Sequence, residues 1–259
     1  SRSYQPVVDD ASLSITLIRP QELPRYLEDG IIDAGLTGKD WIEDCGADVH
    51  EICELAYSKA TRNPIRVVLA AGQNDGVESI KDLEGKRIAT EYVQLTERYL
   101  AKHGVSAKVE FSWGACEVKV PALADAIVVN TETGSSLRAH NLRIVDTLLT
   151  STTRFVCNHA SWADDVKRGQ IENMAMLLTG ALRAGELVGL KMNVSESNLQ
   201  RVVDQLPALR KPTVSPLYGD SGFALEIIVE DKTSRDLIPR LKRAGAEGIV
   251  EYSLSKVVH

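Results

Sequence analysis

The first two thirds of the chain alternate apolar runs of strand length with amphipathic helical stretches. Glycines follow two of the helical stretches, at Gly30 and Gly104, as expected for helix C-termini. This βαβα rhythm predicts an α/β domain with mainly parallel strands. The predicted strands are 13–19, 31–38, 64–72, 86–90, 107–113, 124–130 and two extended stretches within 143–158. The predicted helices are 20–30, 39–46, 91–104 and 167–186.

A different pattern begins at residue 188. Strand and helix signals follow in the order βαββαβ, which is typical of a ferredoxin-like domain. The first of its helices is predicted at 195–209, with Ser195 as N-cap. We therefore expect a separate C-terminal domain over 188–259. By analogy alone, such a domain on an α/β enzyme binds a regulator.

Composition narrows the classes of function. The chain has 259 residues, 44% of them hydrophobic, which is enough for a substantial core. Its net charge of −6 argues against a nucleic-acid partner. We expect neither a signal peptide nor a membrane span, because the start is polar and no apolar run approaches about 20 residues. The scattered cysteines and histidines favour a cytoplasmic protein without a metal cluster.

The string "TETGSS" at 131–136 is the most informative motif. It follows a buried-looking strand and precedes a short helical segment, which is where α/β sheets usually bind ligands. Gly134 allows close approach of the backbone, and the amides and hydroxyls around it suit a phosphate group. A capped turn is an equally ordinary interpretation. The motif lacks the lysine of a Walker A loop.

Four other residues are weaker candidates. Arg19 at a predicted strand end can reach a polyphosphate, Tyr92 can stack on a base, and Glu117 can hold a ribose or a base edge. Asp40 lies at a predicted helix start, where it can simply compensate the helix dipole. Each of the other three also has an ordinary interpretation: Arg19 as a solvated arginine, Tyr92 as part of an amphipathic surface helix and Glu117 as a helix cap.

Taken in order, several strings resemble the ATP phosphoribosyltransferases of histidine biosynthesis. Each string is weak alone, but the ordered set covers essentially the whole chain. The matching strings are "SRSY", "LIRPQELPRYLEDGIIDAGLTGKDWI", "KDLEGKRIAT", "RYLAKHG", "ADAI…TETGSSLRAHNLRIVDTLL", "LPALRKPTVSPL" and "AGAEGIV".

The resemblance implies a reaction in which N1 of ATP attacks 5-phosphoribosyl-1-pyrophosphate and pyrophosphate leaves. It implies substrate-bound Mg²⁺ as cofactor and no covalent intermediate. The protein's task is then to position two polyanions and stabilise developing charge. A sequence without a metal cluster or a nucleophile–base pair agrees with that task.

The resemblance also implies a bilobal core like that of periplasmic binding proteins. Lobe one is expected at 1–69 and 151–187, and lobe two at 70–150. The 5-phosphate of the donor is expected on Asn130, Thr131, Glu132, Thr133, Gly134, Ser135 and Ser136. The cleft residues expected to bind ATP are Arg19, Asp40, Arg66, Tyr92 and Glu117.

The C-terminal domain at 188–259 resembles that of the long form of the family. This form assembles as homodimers and homohexamers and is inhibited by histidine bound in the domain. The string "KPTVSPL" places Thr213 and Ser215 as the expected histidine contacts. An edge strand broken by Pro212 and Pro216 is nearly as good an interpretation.

The sequence departs from the family pattern in two respects. The family usually begins with a further strand and helix, carrying a Lys/Gly-rich turn that faces the substrates, ahead of "SRSY"; without it the core would lack a strand and part of its active site. The family also usually has an acidic residue where this chain has Val129. Because valine cannot hold ribose hydroxyls, Glu132 or Asn130 is expected to share that work.

Two other functions remain open from the sequence. A non-catalytic bilobal binding protein would fit Val129, but it should carry an export signal and no βαββαβ tail. An amino-acid sensor that uses only residues 188–259 would bind histidine and no nucleotide.

Overall fold

The computed structural model describes residues 4–57, 63–207, 211–219 and 222–258. The chain forms two compact units, Ser1–Glu172 and Asn173–His259, and the division falls within the helix Asp165–Ala184. The sequence predicts three functional parts: lobe one at 1–69 and 151–187, lobe two at 70–150 and a regulatory domain at 188–259. This functional division stays a prediction.

The N-terminal unit contains two sheets joined by long strands. Short 3₁₀ segments lie at Ile80–Leu83 and Cys116–Lys119. In chain order, its elements are α1 (Leu23–Glu28), β1 (Ala34–Gly38), α2 (Lys39–Cys45), β2 (His50–Leu55), β3 (Ile65–Gly72), β4 (Arg87–Thr90), α3 (Val93–His103), β5 (Lys108–Phe111), β6 (Ala126–Thr131), α4 (Ser135–Ala139), β7 (Leu142–Ser151), β8 (Thr153–Cys157), α5 (His159–Ala163) and α6 (Asp165–Ala184).

The first sheet has three strands in the order β1-β8-β2, and β8 is antiparallel to both neighbours. The second has five strands in the order β5-β4-β6-β3-β7. In this second sheet β3 runs opposite to the other four strands. The prediction of mainly parallel strands is therefore right for the second sheet and wrong for the first, where β8 returns from the second lobe against β1 and β2.

Alternation along β3 and β6 separates two cores on the faces of the five-stranded sheet. Val67, Leu69 and Val128 pack with α3 on one face. Val68, Ala70 and Ile127 pack with Leu137 of α4 on the other. Val129 pairs with Val68 and packs against this second core, so the valine at this position has a packing role.

The C-terminal unit has the predicted βαββαβ order. Its four strands form one antiparallel sheet in the order β10-β11-β9-β12. One face of the sheet packs against α7 and α8. A 3₁₀ segment at Glu196–Asn198 precedes α7. The elements are β9 (Leu187–Ser195), α7 (Leu199–Val203), β10 (Thr213–Pro216), β11 (Gly222–Glu230), α8 (Asp231–Ala244) and β12 (Ala246–Ser253).

Several details differ from the sequence-based expectations. Residues 13–19 are not a strand. Among the described residues their backbone pairs with neither sheet of this unit, and the Leu17 amide donates to the carbonyl of Tyr4. The strand β2 and the short helix α5 were not predicted. Ser195 makes no side-chain cap bond, since a 3₁₀ turn intervenes before α7. The last two residues of the predicted helix 195–209 lie outside the described residues.

Tyr252 crosses directly over Gly189 on the outer face of the C-terminal sheet, where the two residues pair across β9 and β12. A Cβ at position 189 would lie 2.2 Å from the tyrosine Cζ. The Tyr252 hydroxyl donates to Glu226, and this bond lowers the pKa of the glutamate.

We expect Gly189→Ala to displace the Tyr252 ring and lower the free energy of unfolding by about 1–2 kcal/mol, as overpacking does. Urea denaturation checks this. In a Tyr252→Ala background the same alanine meets no ring and should cost almost nothing. An equal cost in both backgrounds would show that Tyr252 does not constrain position 189.

Candidate active site

Three parallel strands end at the same edge of the five-stranded sheet. They are β4, β6 and β5, and the segments that follow them begin at Glu91, Glu132 and Ser112. The carboxyl edge of parallel strands is the usual ligand crevice of an α/β sheet. The predicted loop residues, Tyr92 and Glu117 all lie on these segments, so the fold brings them to one edge.

The loop at 131–136 is closed by its own hydroxyl groups. Thr131 Oγ1 accepts from the amide of Gly134 at 2.9 Å, and Thr133 Oγ1 donates to Ser135 Oγ at 3.1 Å. Gly134 is the N-cap of α4 with φ 72°, a conformation that strongly favours glycine. This tight turn directs the first-turn amides of α4, which have no partners within the helix, toward the sheet edge.

Two bonds tie the loop to its surroundings. Ser136 Oγ donates to Glu117 Oε1 at 2.8 Å, and Arg138 donates to the carbonyl of Thr133 at 2.9 Å. The first bond connects the loop with the 3₁₀ segment that carries Glu117. Glu117, a predicted cleft residue, is therefore in direct contact with the predicted phosphate loop.

Arg66 lies directly beside the loop. It pairs with Thr131 of β6 on one side and with Thr150 of β7 on the other. Directly opposed residues on neighbouring strands have side chains about 5 Å apart on the same face. The half-buried residue Arg66 thus brings a permanently charged side chain to the face of the sheet on which the loop begins.

Asp40 and Tyr92 bond each other in the interior. Both residues are 1% exposed, and the Tyr92 hydroxyl donates to Asp40 Oδ2 at 2.7 Å. Burial, and then the negative charge of Asp40, raise the pKa of Tyr92 well above its ordinary value. The ring stacks on Trp41 with centroids 4.3 Å apart. In this conformation neither residue offers a surface to a ligand.

Further bonds extend this pair into a network. Ser151 Oγ donates to Asp40 Oδ1 at 2.6 Å and accepts from the Asp40 amide at 3.0 Å. Asn130 Nδ2 donates to the Tyr92 hydroxyl at 2.8 Å. Because Asp40 opens α2 in the first lobe and Asn130 ends β6 in the second, the network joins the two lobes.

A second contact between α2 and α3 lies beside the network. Asp44 Oδ1 accepts from the amide of Leu95 at 2.8 Å, and Arg98 donates to the carbonyl of Glu43. Burial raises the pKa of Asp44, in spite of these donors and the nearby guanidinium. The first turn of α3 is thus held against α2 by backbone and side-chain bonds together.

Arg19 lies elsewhere than predicted. It is exposed and precedes α1 within an extended segment, and it does not end a strand. The neighbouring carbonyl of Pro20 accepts from Thr37 of β1 at 2.7 Å. Arg19 is thereby held near the end of β1.

Thr213 and Ser215 are exposed on the edge strand β10 of the C-terminal unit. They lie opposite Glu226 and Ala224 of β11. Thr213 is therefore next to the carboxylate that accepts from Tyr252 and pairs with Lys191 at 3.5 Å. Their backbone forms an edge strand, as the alternative interpretation of the sequence proposed. The exposed sheet face on which they lie also carries the charged residue Glu226.

Sequence reasoning missed two residues at these sites. Ser151 gave no signal, because its partner Asp40 is 111 positions away. Trp113 is 93% exposed at the carboxyl edge and packs edge-on against Phe111, with centroids 4.7 Å apart. The aromatic residues at alternate positions in "FSW", after a strand, were the available signal for Trp113.

Most of the chain matches two consecutive family descriptions. Residues 19–180 match "ATP phosphoribosyltransferase", and residues 184–256 match "HisG, C-terminal domain". The chain belongs to the ATP phosphoribosyltransferase family. The resemblance seen in the ordered strings, and the enzyme class that it implied, are confirmed.

Several curated ATP phosphoribosyltransferases are similar over the whole chain. The protein of Chlorobium phaeobacteroides is 58% identical over 258 residues, covering 100% of this chain and 88% of that protein. The protein of Solibacter usitatus is 54% identical over 258 residues, with 100% and 89% covered. A solved ATP phosphoribosyl transferase (HisG:HisZ) complex from Thermotoga maritima has a TM-score of 0.58 and 28% identity, covering 66% of this chain and 80% of that one.

Membership in the family fits the architecture. The predicted fold class is confirmed, with an α/β core of two sheets followed by a C-terminal βαββαβ domain. Enzymes of this family need a metal ion for catalysis. Within the described part of the chain, no helix is long and apolar enough to cross a membrane. The residue assignments within the ATP phosphoribosyltransferase site stay predictions.

We expect Ser151→Ala to destabilise this phosphoribosyltransferase fold by about 3 kcal/mol, because it leaves a buried carboxylate oxygen and an amide without their partner. Urea denaturation followed by circular dichroism checks this. Thr152→Val is the matched control, since it removes a bond at 2.6 Å to the more exposed Glu54 and should cost under about 1 kcal/mol. Equal costs would contradict the importance of the buried bond.

Proposed function

We propose that this chain transfers the 5-phosphoribosyl group from 5-phosphoribosyl-1-pyrophosphate to N1 of ATP and releases pyrophosphate, the first step of histidine biosynthesis. The observation that carries the proposal is the hydroxyl-closed loop at 131–136 beside Arg66, in a chain of this family. The alternative of a non-catalytic binding protein has no comparable support.

The donor's 5-phosphate binds the loop. The amides at the start of α4 and the hydroxyls of Thr131 and Ser135 donate to its oxygens. The hydroxyls of Thr133 and Ser136 join them when their bonds to Ser135 and Glu117 open, and Asn130 and Glu132 bind the adjoining ribose. Arg66 neutralises part of the phosphate charge. Gly134 is required because a side chain there would stand between the backbone and the phosphate.

The reaction needs no protein nucleophile. N1 of ATP attacks the anomeric carbon, the bond from that carbon to pyrophosphate breaks, and the electron pair leaves with pyrophosphate. The enzyme lowers the barrier by holding both substrates in line and by placing donors where charge develops.

Mg²⁺ enters as the complex with the donor's pyrophosphate. It prefers hard oxygen ligands and keeps several waters. The Glu117 carboxylate fits this requirement, since it is held at the loop through Ser136. Glu117 would hold the bound ion, which would supply positive charge to the leaving pyrophosphate.

ATP binds in the cleft beside the donor. Among the five predicted residues, Arg66 and Glu117 adjoin the donor loop in the described conformation, and Arg19 is exposed. Asp40 and Tyr92 satisfy each other, so direct contact with ATP would require their bond to open. We retain all five as cleft residues and assign direct contacts first to Arg19, Arg66 and Glu117.

Histidine inhibits the enzyme by binding the C-terminal unit at Thr213 and Ser215. The nearby Glu226 and Lys191 offer opposite charges to a zwitterionic amino acid. The active form is a homo-oligomer, from dimer to hexamer, in the cytoplasm. Its partners are ATP, the phosphoribosyl donor and histidine, with neither nucleic acid nor membrane.

A direct assay tests the function. Full-length protein, ATP, the phosphoribosyl donor and Mg²⁺ should form N1-substituted adenine, detected by its absorbance and by pyrophosphate release. Folded protein that forms no product would contradict the proposal. Calorimetry that shows histidine binding without nucleotide binding would instead favour an amino-acid sensor.

Gly134→Val should abolish donor binding, because it adds a side chain at φ 72° with its Cβ 3.1 Å from Arg138 and in the path of the phosphate. Calorimetric titration with the donor measures this. Gly104→Val controls for backbone strain, since Gly104 ends α3 at φ 64° with an open surrounding. Donor affinity retained in Gly134→Val would make the loop an ordinary turn.

Thr213→Ala should weaken histidine inhibition about tenfold, the effect of losing roughly one hydrogen bond, and leave the uninhibited rate unchanged. Inhibition curves at fixed substrate measure this. Thr213→Ser keeps the hydroxyl and should keep the inhibition. Unchanged inhibition in Thr213→Ala would remove this residue from the effector site.

A further inference from the structure

The network of Asp40, Tyr92 and Asn130 reaches from the interior of the first lobe to the residue that precedes the phosphate loop. The Tyr92 hydroxyl lies 2.7 Å from Asp40 Oδ2 and 2.8 Å from Asn130 Nδ2. Asp40 is itself fixed by Ser151 through two bonds. A single hydroxyl therefore links a buried carboxylate to an exposed amide.

The charge of Asp40 sets the direction of every bond in this network. A carboxylate only accepts hydrogen bonds, so the Tyr92 hydroxyl donates its one proton to Asp40. The same hydroxyl can then only accept from Asn130, which must present its Nδ2 group. The Asn130 carbonyl oxygen makes no bond to the Tyr92 hydroxyl, and on an exposed residue next to the last position of β6 it is free to accept from a ligand.

The position of Asn130 on β6 places its carbonyl oxygen where the ribose of the donor is expected. Asn130 lies on the Tyr92 face of β6, while its neighbours Val129 and Thr131 lie on the opposite face, with Val129 packed in the core there. A phosphate on the loop at 131–136 leaves the attached ribose near the end of β6. Its hydroxyls need acceptors, and Val129 provides none.

We propose that Tyr92 is a positioning residue that, anchored by Asp40, orients the Asn130 amide so that its carbonyl oxygen accepts a hydrogen bond from a ribose hydroxyl of the phosphoribosyl donor. This rests on the proposed function. It gives Asp40 and Tyr92 a role in donor recognition, in place of the ATP contact inferred from the sequence.

Tyr92→Phe tests this role, since it keeps the ring against Trp41 and removes only the linking hydroxyl. We expect the KM for the donor to rise about tenfold, as for the loss of one hydrogen bond. The KM for ATP should stay within about twofold of the wild-type value, because the network ends at the donor loop.

Tyr99→Phe is the matched control. Tyr99 lies on the same helix, packs against the same core and donates its hydroxyl to Asp146. It has no bond to Asn130, so its loss should leave the KM values for both substrates unchanged. A purely structural role for tyrosine hydroxyls on α3 would affect both variants alike.

Asn130→Ala keeps the proposal testable if Tyr92→Phe fails to fold, since Asn130 is exposed. It should raise the donor KM at least as much, and the double variant should be no worse than Asn130→Ala alone. An unchanged donor KM in either single variant, with active wild-type protein, overturns this inference. Folded but inactive wild-type protein overturns the proposed function instead.

Discussion

The N-terminal unit depends on one buried side chain, the carboxylate of Asp40. Asp40 opens α2 with 1% of its surface exposed, and an ionised group in that place is tolerated only when donors surround it. Its donors come from distant parts of the chain: Tyr92 at the start of α3 and Ser151 at the end of β7. Satisfying this one group fixes the first lobe, the second lobe and a connecting strand with respect to each other.

The alternation of the five-stranded sheet then divides the chemistry of the site. Arg66 and Thr131 share one face of the sheet with the loop and α4, and Asn130 shares the other face with Tyr92. In this account, residues on opposite faces of the end of β6 bind the phosphate and the ribose of the donor. Such an arrangement suits an enzyme whose contribution is positioning and electrostatics.

Local signals in the sequence were sufficient to predict several elements of the fold and the position of the loop. Gly104 ends α3 in the left-handed conformation that its place after Lys102 and His103 suggested. The loop at 131–136 follows a buried strand and opens a helix, as its hydroxyls and glycine indicated. The βαββαβ order needed only the change from helical to alternating periodicity after residue 187.

Those local signals could not predict which residues pair with each other over long distances in the sequence. The segment 13–19 has a strand-like composition but no sheet partner within the described part of the chain, and composition alone does not indicate whether a strand finds a partner. The strand β8 enters between β1 and β2 from more than one hundred residues away. Asp40 and Tyr92 were both chosen as ligands for ATP, yet each is the other's partner across 52 positions, a relation that single-residue reasoning does not reveal.

Hydrogen exchange read by mass spectrometry, with each substrate added separately, tests the account most directly. The phosphoribosyl donor with Mg²⁺ should slow exchange of the amides at 133–136, because those amides bond the phosphate; ATP alone should leave them unchanged. Slowed exchange elsewhere, with an unaltered loop in the presence of the donor, would contradict the assignment of this loop as the phosphate site.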